Sequence, residues 1–453
     1  MPDHPVAPSA PLPLSGAAMQ EAARRALDAA KRHGATDAEV EVSAAVGQSV
    51  TVRRGEVETV EYNRDKGLGI TVYIGKRRGN ASTSDLSADA IDRTVAAACA
   101  IARHTAEDEA VGLPDPARLF RGETPDLGLF HPWGLSVEDA IGIAKRAEAA
   151  ALAVDRRISN SEGATVSTHD SDFVLANTLG FCAGFPASKS SISVSVVAED
   201  ANGMQRDYWY TSHRDPSCLD DAELVGRTAG ERTVQRLGAR RLATLEAPVL
   251  FDANVAGSLI GHFVSAASGG SLYRQSSFLI GRLGSQVFAP AVTIREEPHQ
   301  HAEMASTPFD AEGVATAPRI VVDGGVLRGW FLSSHSARKL GLETTGNAGG
   351  NHNLVVVPGP LDRGEMLRKM GRGFLVTDLM GQGVNPVTGD YSRGATGFWV
   401  EGGEIRHPVE EVTIAGHLLE IYAGIREVGR DVLTRGSRQC GSILVDRMTI
   451  AGE

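Results

Sequence analysis

Small and apolar residues recur at helical spacing from position 16 to 33, and Gly34 stands where such a helix would stop. From 38 to 79 the pattern changes to alternation. Glu39-Val40-Glu41-Val42, Ser49-Val50-Thr51-Val52-Arg53 and Leu68-Gly69-Ile70-Thr71-Val72-Tyr73 read as strands of a meander, separated by Gly-containing turns such as Arg54-Gly55-Glu56. A helix follows from about 87 to 104, with Ser87 as its cap and Asp89 near the positive end of its dipole. Beyond a Pro/Gly-rich link over 112–132 the scheme runs again: helix over 136–154, three strands over 164–212 ending in Asp207-Tyr208-Trp209-Tyr210, and helix over 220–237. Either a helix, meander, helix unit occurs twice, or an α+β domain of this size alternates without a repeat.

After residue 239 the pattern is different. Glycine becomes frequent, helical stretches shrink to about 253–268 and 412–424, and short apolar runs are divided by turns. The expected class is α+β, with an N-terminal helix-and-meander domain over 16–240 and a β-rich C-terminal domain over 241–453. The opening fifteen residues hold five prolines and no basic stretch leading into an apolar run, so they read as a disordered tail and not as a secretory signal.

Composition narrows the function classes. The chain has 453 residues, 42% of them hydrophobic and 22% charged, enough to bury a large core. Its formal charge of −11 opposes direct nucleic-acid binding, because a duplex would meet net repulsion. No run of eighteen apolar residues suggests a membrane span. Cys99, Cys182, Cys218 and Cys440 are far apart, which fits a reducing, cytoplasmic setting better than a disulfide framework or a zinc knuckle.

Three polar groups invite a site and are read as none. Glu296-Glu297-Pro298-His299-Gln300-His301 mixes carboxylates and imidazoles but is short and broken by proline, as a solvated loop is. Ser333-Ser334-His335-Ser336 sets Ser beside His without a Gly-x-Ser-x-Gly elbow. Gly371-Arg372-Gly373 and Gly381-Gln382-Gly383 lack the Lys-Ser/Thr pair of a phosphate loop.

Other stretches carry a resemblance. Ser268-Gly269-Gly270-Ser271-Leu272-Tyr273-Arg274-Gln275, Ala305-Ser306-Thr307-Pro308-Phe309-Asp310, Ser336-Ala337-Arg338-Lys339-Leu340-Gly341, Thr345-Gly346-Asn347-Ala348-Gly349-Gly350-Asn351-His352-Asn353 and Leu379-Met380-Gly381-Gln382-Gly383 are similar, in order and spacing, to PmbA (TldE) proteins of the TldD/PmbA peptidase family. The likeness spans nearly all of 248–453 and is looser over 16–240. It implies a C-terminal domain of twisted antiparallel sheets around a central helix. It also implies a zinc peptidase complex in which this chain pairs with a TldD-type subunit, as a heterodimer or higher complex, around unfolded or flexible peptides. Roles in maturing a peptide antibiotic, degrading an antitoxin and modulating DNA gyrase come with the family, as does an alternative in which the chain is a metal-dependent peptidase itself.

In TldD proteins the helix corresponding to 254–263 carries His-Glu-x-x-x-His, two zinc ligands and a carboxylate that activates water. Laid on it, this chain keeps His262 and has Gly257 and Ser258 where the first His and the Glu would be. Positions five apart diverge by roughly 140° on an ideal helix, so His262 reads as a packed histidine ahead of a ligand. Cys440 resembles the family's third, thiolate ligand but reads first as a small apolar residue before the last strand. No metal or cofactor is expected in this chain, zinc being expected in the TldD partner. For peptide contact the candidates are Gly269, Gly270, Tyr273, Arg274, Asn347, Gly349, Gly350, Asn351, His352 and Asn353, whose Gly/Asn backbone turns tightly and exposes main-chain donors and acceptors; the same glycines also suit plain hairpin turns. A homodimer is expected when the partner is absent.

Overall fold

The computed structural model describes residues 11–452. Up to residue 10 the expected tail lies outside the described residues; beyond it, Leu14 packs against the first core and Ser15 caps the first helix.

The N-terminal half runs α1 (Gly16–Arg32), β1 (Asp37–Arg53), β2 (Glu56–Ile74), β3 (Arg77–Thr83), α2 (Ala88–His104), then α3 (Val137–Leu152), β4 (Ile158–Asn177), β5 (Cys182–Ala183), β6 (Ala187–Asp200), β7 (Gly203–His213) and α4 (Ala222–Gln235). The strands form one antiparallel sheet in the order β3-β2-β1-β4-β6-β7, with β5 beside β4. Ser87 and Ser136 cap α2 and α3, each accepting a backbone N–H in the first turn. Two strand expectations change. The segments 39–42 and 49–53 are one strand, because β1 stays paired through Gly47 to both β2 and β4. Four strands, not three, fill the second meander, the extra one being the two-residue β5.

Alternation along β1 decides how the sheet is covered. Val40, Val42, Val50 and Val52 share one face; the first two pack under α1 and α2, the others under α3 and α4. Both helix pairs therefore sit on the same side, bringing alanine-rich faces down closely. The opposite face meets the C-terminal half, where Phe309 inserts among Phe120, Phe173, Phe181 and Phe185 with ring centroids 5.3–6.1 Å away. From 56 to 66, β2 projects past this packing: it is exposed, with β1 on one side and, among the described residues, no strand on the other.

The C-terminal half runs β8 (Leu245–Phe251), α5 (Ala253–Ala266), α6 (Gly269–Tyr273), β9 (Ile294–Glu296), β10 (Arg319–Asp323), β11 (Val326–Leu327), α7 (Ser334–Leu340), β12 (Leu354–Val356), α8 (Arg363–Met370), β13 (Arg372–Met380), β14 (Asp390–Glu401), β15 (Glu404–His417), α9 (Leu418–Ala423), β16 (Ile425–Val428), β17 (Arg438–Gln439) and β18 (Ile443–Ala451). Strands β15-β14-β13-β8-β18 close into a barrel through the β15–β18 pairing. A smaller sheet has the order β11-β10-β9-β12-β17. The helix expected over 412–424 is corrected: residues 412–417 end β15, paired to β14 and β18, and only α9 is helical. Their Val-Thr-Ile-Ala alternation has the strand period.

Helix α5 is the shared core of this half. Asp252 caps it, and Ala256, Leu259, Ile260, Phe263 and Ala266 are buried among residues of both the barrel and the smaller sheet, including Phe251, Phe374, Val321 and Leu354. The twisted antiparallel sheets around a central helix are thus present.

Candidate functional site

The face of α5 left uncovered by that core bears Gly257, Ser258, Gly261 and His262, which line a cavity of about 520 Å³. Tyr208, Trp209 and Tyr210 of β7 form another wall, and Arg435, Arg438 and Cys440 a third. Although positions 257 and 262 diverge around a regular helix, both border this one cavity, which wraps the exposed side of α5.

An ion-pair knot joins the walls. Asp207, 4% exposed, lies 3.3 Å from Arg232 on α4 and 3.4 Å from Arg236, the C-cap of that helix. Arg236 continues to Asp378 at 3.5 Å and donates to Thr396 Oγ1 at 3.0 Å, so β7 and α4 are tied to barrel strands β13 and β14. The aromatic run next to Asp207 is thereby held beside α5. Arg435 fills the gap, its guanidinium 4.2 Å from the Trp209 ring centroid and 4.8 Å from that of Tyr210.

The groups on α5 and its surroundings are poor at metal chemistry. His262 meets Tyr391 edge-on at 5.8 Å, and its Nε2 is buried without a hydrogen-bond partner. Burial, then Arg393 and Arg438, lowers its pKa to about 4, so the ring is neutral at pH 7. Ser258 donates its hydroxyl to the Val255 carbonyl at 2.7 Å. Burial, helped by Asp431, pushes the Cys440 thiol well above its ordinary range, and it donates to the Gly441 carbonyl at 3.2 Å. Arg438 lies along α5, its Nη1 3.4 Å from the Gly257 carbonyl, and a Cβ on Gly261 would fall on its guanidinium. A hydrolytic zinc needs about three deprotonated ligands and a nearby base. Here one imidazole, one protonated thiol and a guanidinium surround the position, and among the described residues no group of three or more His, Cys, Asp and Glu is placed to hold a metal. These residues do not fit that ion.

The peptide-cleft candidates divide. Gly349, Gly350, Asn351 and His352 line a second cavity of about 450 Å³, between the N-terminal sheet and the 305–311 segment. Gly349 and Gly350 have φ of 100° and 122°, which lets the loop turn there. Its polar side chains are nevertheless spent on the fold. Asn347 donates to the buried Glu296 carboxylate at 2.8 Å, the His352 backbone N–H donates to the same group at 2.8 Å, and Asn353 receives the Ala305 N–H at 2.9 Å. Glu296 pairs with Arg319 at 2.7 Å, so this carboxylate is an anchor, not part of a solvated loop. Gly269 is a packing position, where a Cβ would overlap Ser336 of α7; Gly270, Tyr273 and Arg274 lie beside it, Arg274 stacking 5.2 Å from the Tyr273 ring centroid. Gly269, Gly270, Tyr273, Arg274, Asn347 and Asn353 border neither cavity. Ser333 and Ser336 form the capping box of α7, and His335 bonds Asp108 at 3.0 Å.

Arg435, Arg438 and the three aromatics were not singled out as site residues. Their signal was faint: an aromatic triplet ending a strand, and two arginines near a cysteine whose side chains cross from one element to another.

The comparisons with known proteins follow this architecture. Residues 38–102 match the model for PmbA/TldA metallopeptidase domain 1, 130–237 the central domain and 244–452 the C-terminal domain. The first two contribute to one continuous sheet here. The chain is 49% identical over 436 residues to Metalloprotease PmbA of Escherichia coli O157:H7, covering 96% of each. A Bacteroides thetaiotaomicron crystal structure, described as a candidate modulator of DNA gyrase, superposes with TM-score 0.91 at 26% identity, over 96% of this chain and 99% of that one. TldE from Thermococcus kodakarensis shares the fold at TM-score 0.83 and 20% identity, over 95% and 100%.

Proposed function

The chain belongs to the PmbA/TldD metallopeptidase family, and from that membership we propose that it is the PmbA/TldE-type, non-catalytic subunit of a two-subunit zinc peptidase acting on unfolded or flexible peptides. A TldD-type partner supplies the zinc, the water-activating carboxylate and the bond cleavage; this chain supplies part of the chamber wall and peptide-binding edges, in the cytoplasm and without contacting nucleic acid. One observation carries the reading: on α5 the Arg438 guanidinium lies against the Gly257 carbonyl and Gly261, and a fixed cation there opposes a divalent ion. Self-association in the partner's absence belongs to the same proposal.

The test is hydrolysis of an unstructured polypeptide by this chain alone and mixed with its TldD-type partner, with and without chelator. Cleavage only in the mixture, abolished by chelator, is expected. The similarity to proteins named metalloproteases favours a second reading, a peptidase in its own right, and chelator-sensitive cleavage by the chain alone, with stoichiometric zinc, would establish it instead. A role at DNA gyrase, suggested by the name of one structural neighbour, would require capture of the topoisomerase by this chain.

A further inference from the structure

We infer that the cavity beside α5 is a carboxylate-binding site for an extended peptide, with Arg438 as the principal anion contact and Arg435 as its stacked companion.

The cavity has an unbalanced charge. Arg435 and Arg438 line it, and no Asp or Glu does. Among the described residues Arg438 has no carboxylate within ion-pair distance; its one hydrogen bond is the 3.4 Å contact with the Gly257 carbonyl. That is unusual in a chain with 56 acidic residues against 45 Lys and Arg, where a partly buried cation has many potential partners. Arg435 has a side chain only 14% exposed and an ion pair with Asp220 at 3.5 Å; its Nη1 is buried with no hydrogen-bond partner among the described residues. His262 Nε2 and Asn254 Oδ1 add two further unsatisfied buried polar atoms around the same space, the amide oxygen being an acceptor that a peptide N–H, not the carboxylate, would satisfy. Buried polar groups are rarely left so, and several around one cavity mark a place completed by a ligand.

The shape is built for this. Gly257 and Gly261, one helical turn apart, lower the surface of α5, and any side chain at 261 would take the guanidinium's place. Stacking on Trp209 and Tyr210 fixes the plane of Arg435, so little side-chain freedom is lost on binding. A carboxylate matches such donors through charge-assisted hydrogen bonds. A peptide is favoured over a nucleic acid by the chain's overall negative charge and by β7. This strand ends its sheet, so among the described residues the edge opposite β6 has no strand partner and can receive an extended backbone. The carboxylate belongs to the peptide's C-terminus or to an acidic side chain.

The test uses the full chain alone in chelator-containing buffer, so it depends neither on the partner nor on cleavage, and its failure would leave the subunit proposal intact. Fluorescence anisotropy compares an N-terminally labelled Gly/Ser-rich peptide as the free acid, as the C-terminal amide, and as the amide with one internal Glu. Saturable binding of the free acid, weakened on the order of tenfold or more by amidation and by Arg438→Gln, is expected. Recovery with the internal Glu would assign the site to side-chain carboxylates; no recovery would assign it to chain ends. Gly261→Ala, which displaces the guanidinium while keeping its charge, gives the same loss and serves if R438Q fails to fold. Equal binding of acid and amide, absence of saturable binding, or full affinity in both variants would overturn the inference.

Discussion

His262 shows how one side chain's surroundings decide its chemistry. Burial and two cations hold its pKa near 4, below the ordinary value of 6.5. Between those values the unfolded chain binds the proton that the folded chain refuses, so this group makes the fold less stable as pH falls from 6.5 towards 4 and adds no slope above that window. We predict that the His262 ring resonance stays at its neutral position down to about pH 4, and that R438Q moves the midpoint upward, as seen by NMR on histidine-labelled protein. A midpoint unmoved by R438Q would leave burial and Arg393 as the causes. The position of His262 was legible in the sequence, as were the neighbouring Gly257, Ser258 and Cys440, because fixed offsets on a helix and before a strand are local information. The guanidiniums were not. Arg438 reaches α5 across a sequence separation of 181, and a long flexible side chain leaves no periodic trace.

At the level of elements, helix positions were the most readable, because serine caps and small-residue spacing are carried within a dozen residues. Gly226 on α4 illustrates the constraint behind that spacing. A Cβ there would overlap the Ala147 carbonyl oxygen of α3, so the pair crosses at backbone contact. We predict that Gly226→Ala destabilises the protein by about 1–3 kcal/mol in urea titration, whereas Gly16→Ala, with nothing within 4 Å, changes it little. A Gly226→Ala loss as small as that of Gly16→Ala would mean that α3 and α4 can part without cost. Strand extents were harder to read. Gly47 and the Ala44-Ala45 pair interrupt the alternation of β1, yet pairing on both edges carries the strand through them. The final turn of β15 was mistaken for helix because its apolar residues also satisfy a 3.6-residue period over so short a window.

Across the whole molecule, the two halves are joined by packing around Phe309 and by the Asp207 knot. Asp207 is nearly inaccessible and faces two arginines that are themselves mostly covered. Removing one partner of such a group leaves unbalanced buried charge, so Asp207→Ala is expected to cost about 3–5 kcal/mol and to loosen β7 from the barrel. Chemical denaturation gives the first quantity, and hydrogen exchange at 207–213 the second; wild-type protection there would show that the aromatic wall is held by other contacts. None of this long-range pairing could be read from a single chain, since Asp207, Arg236 and Asp378 are connected only by the fold. The division into three family models conceals the same point, for the first two regions share every hydrogen bond between β1 and β4.

The projecting stretch of β2 has a consequence for the behaviour of the protein at high concentration. Val57, Val60 and Tyr62 are exposed on a free edge, Tyr62 to 67%, and a bare edge of that length invites a second molecule to add its own strand. Glu56, Glu58, Glu61 and Asp65 outnumber Arg64 and Lys66 along it, so the arm carries a net charge of 2 − 4 = −2 and two copies approaching edge to edge repel. Colloidal behaviour should therefore be governed by salt: screening removes the repulsion while leaving the backbone groups ready to pair, and crowding in concentrated electrolyte is the condition under which this arm would turn from a solitary ribbon into a nucleus for precipitation.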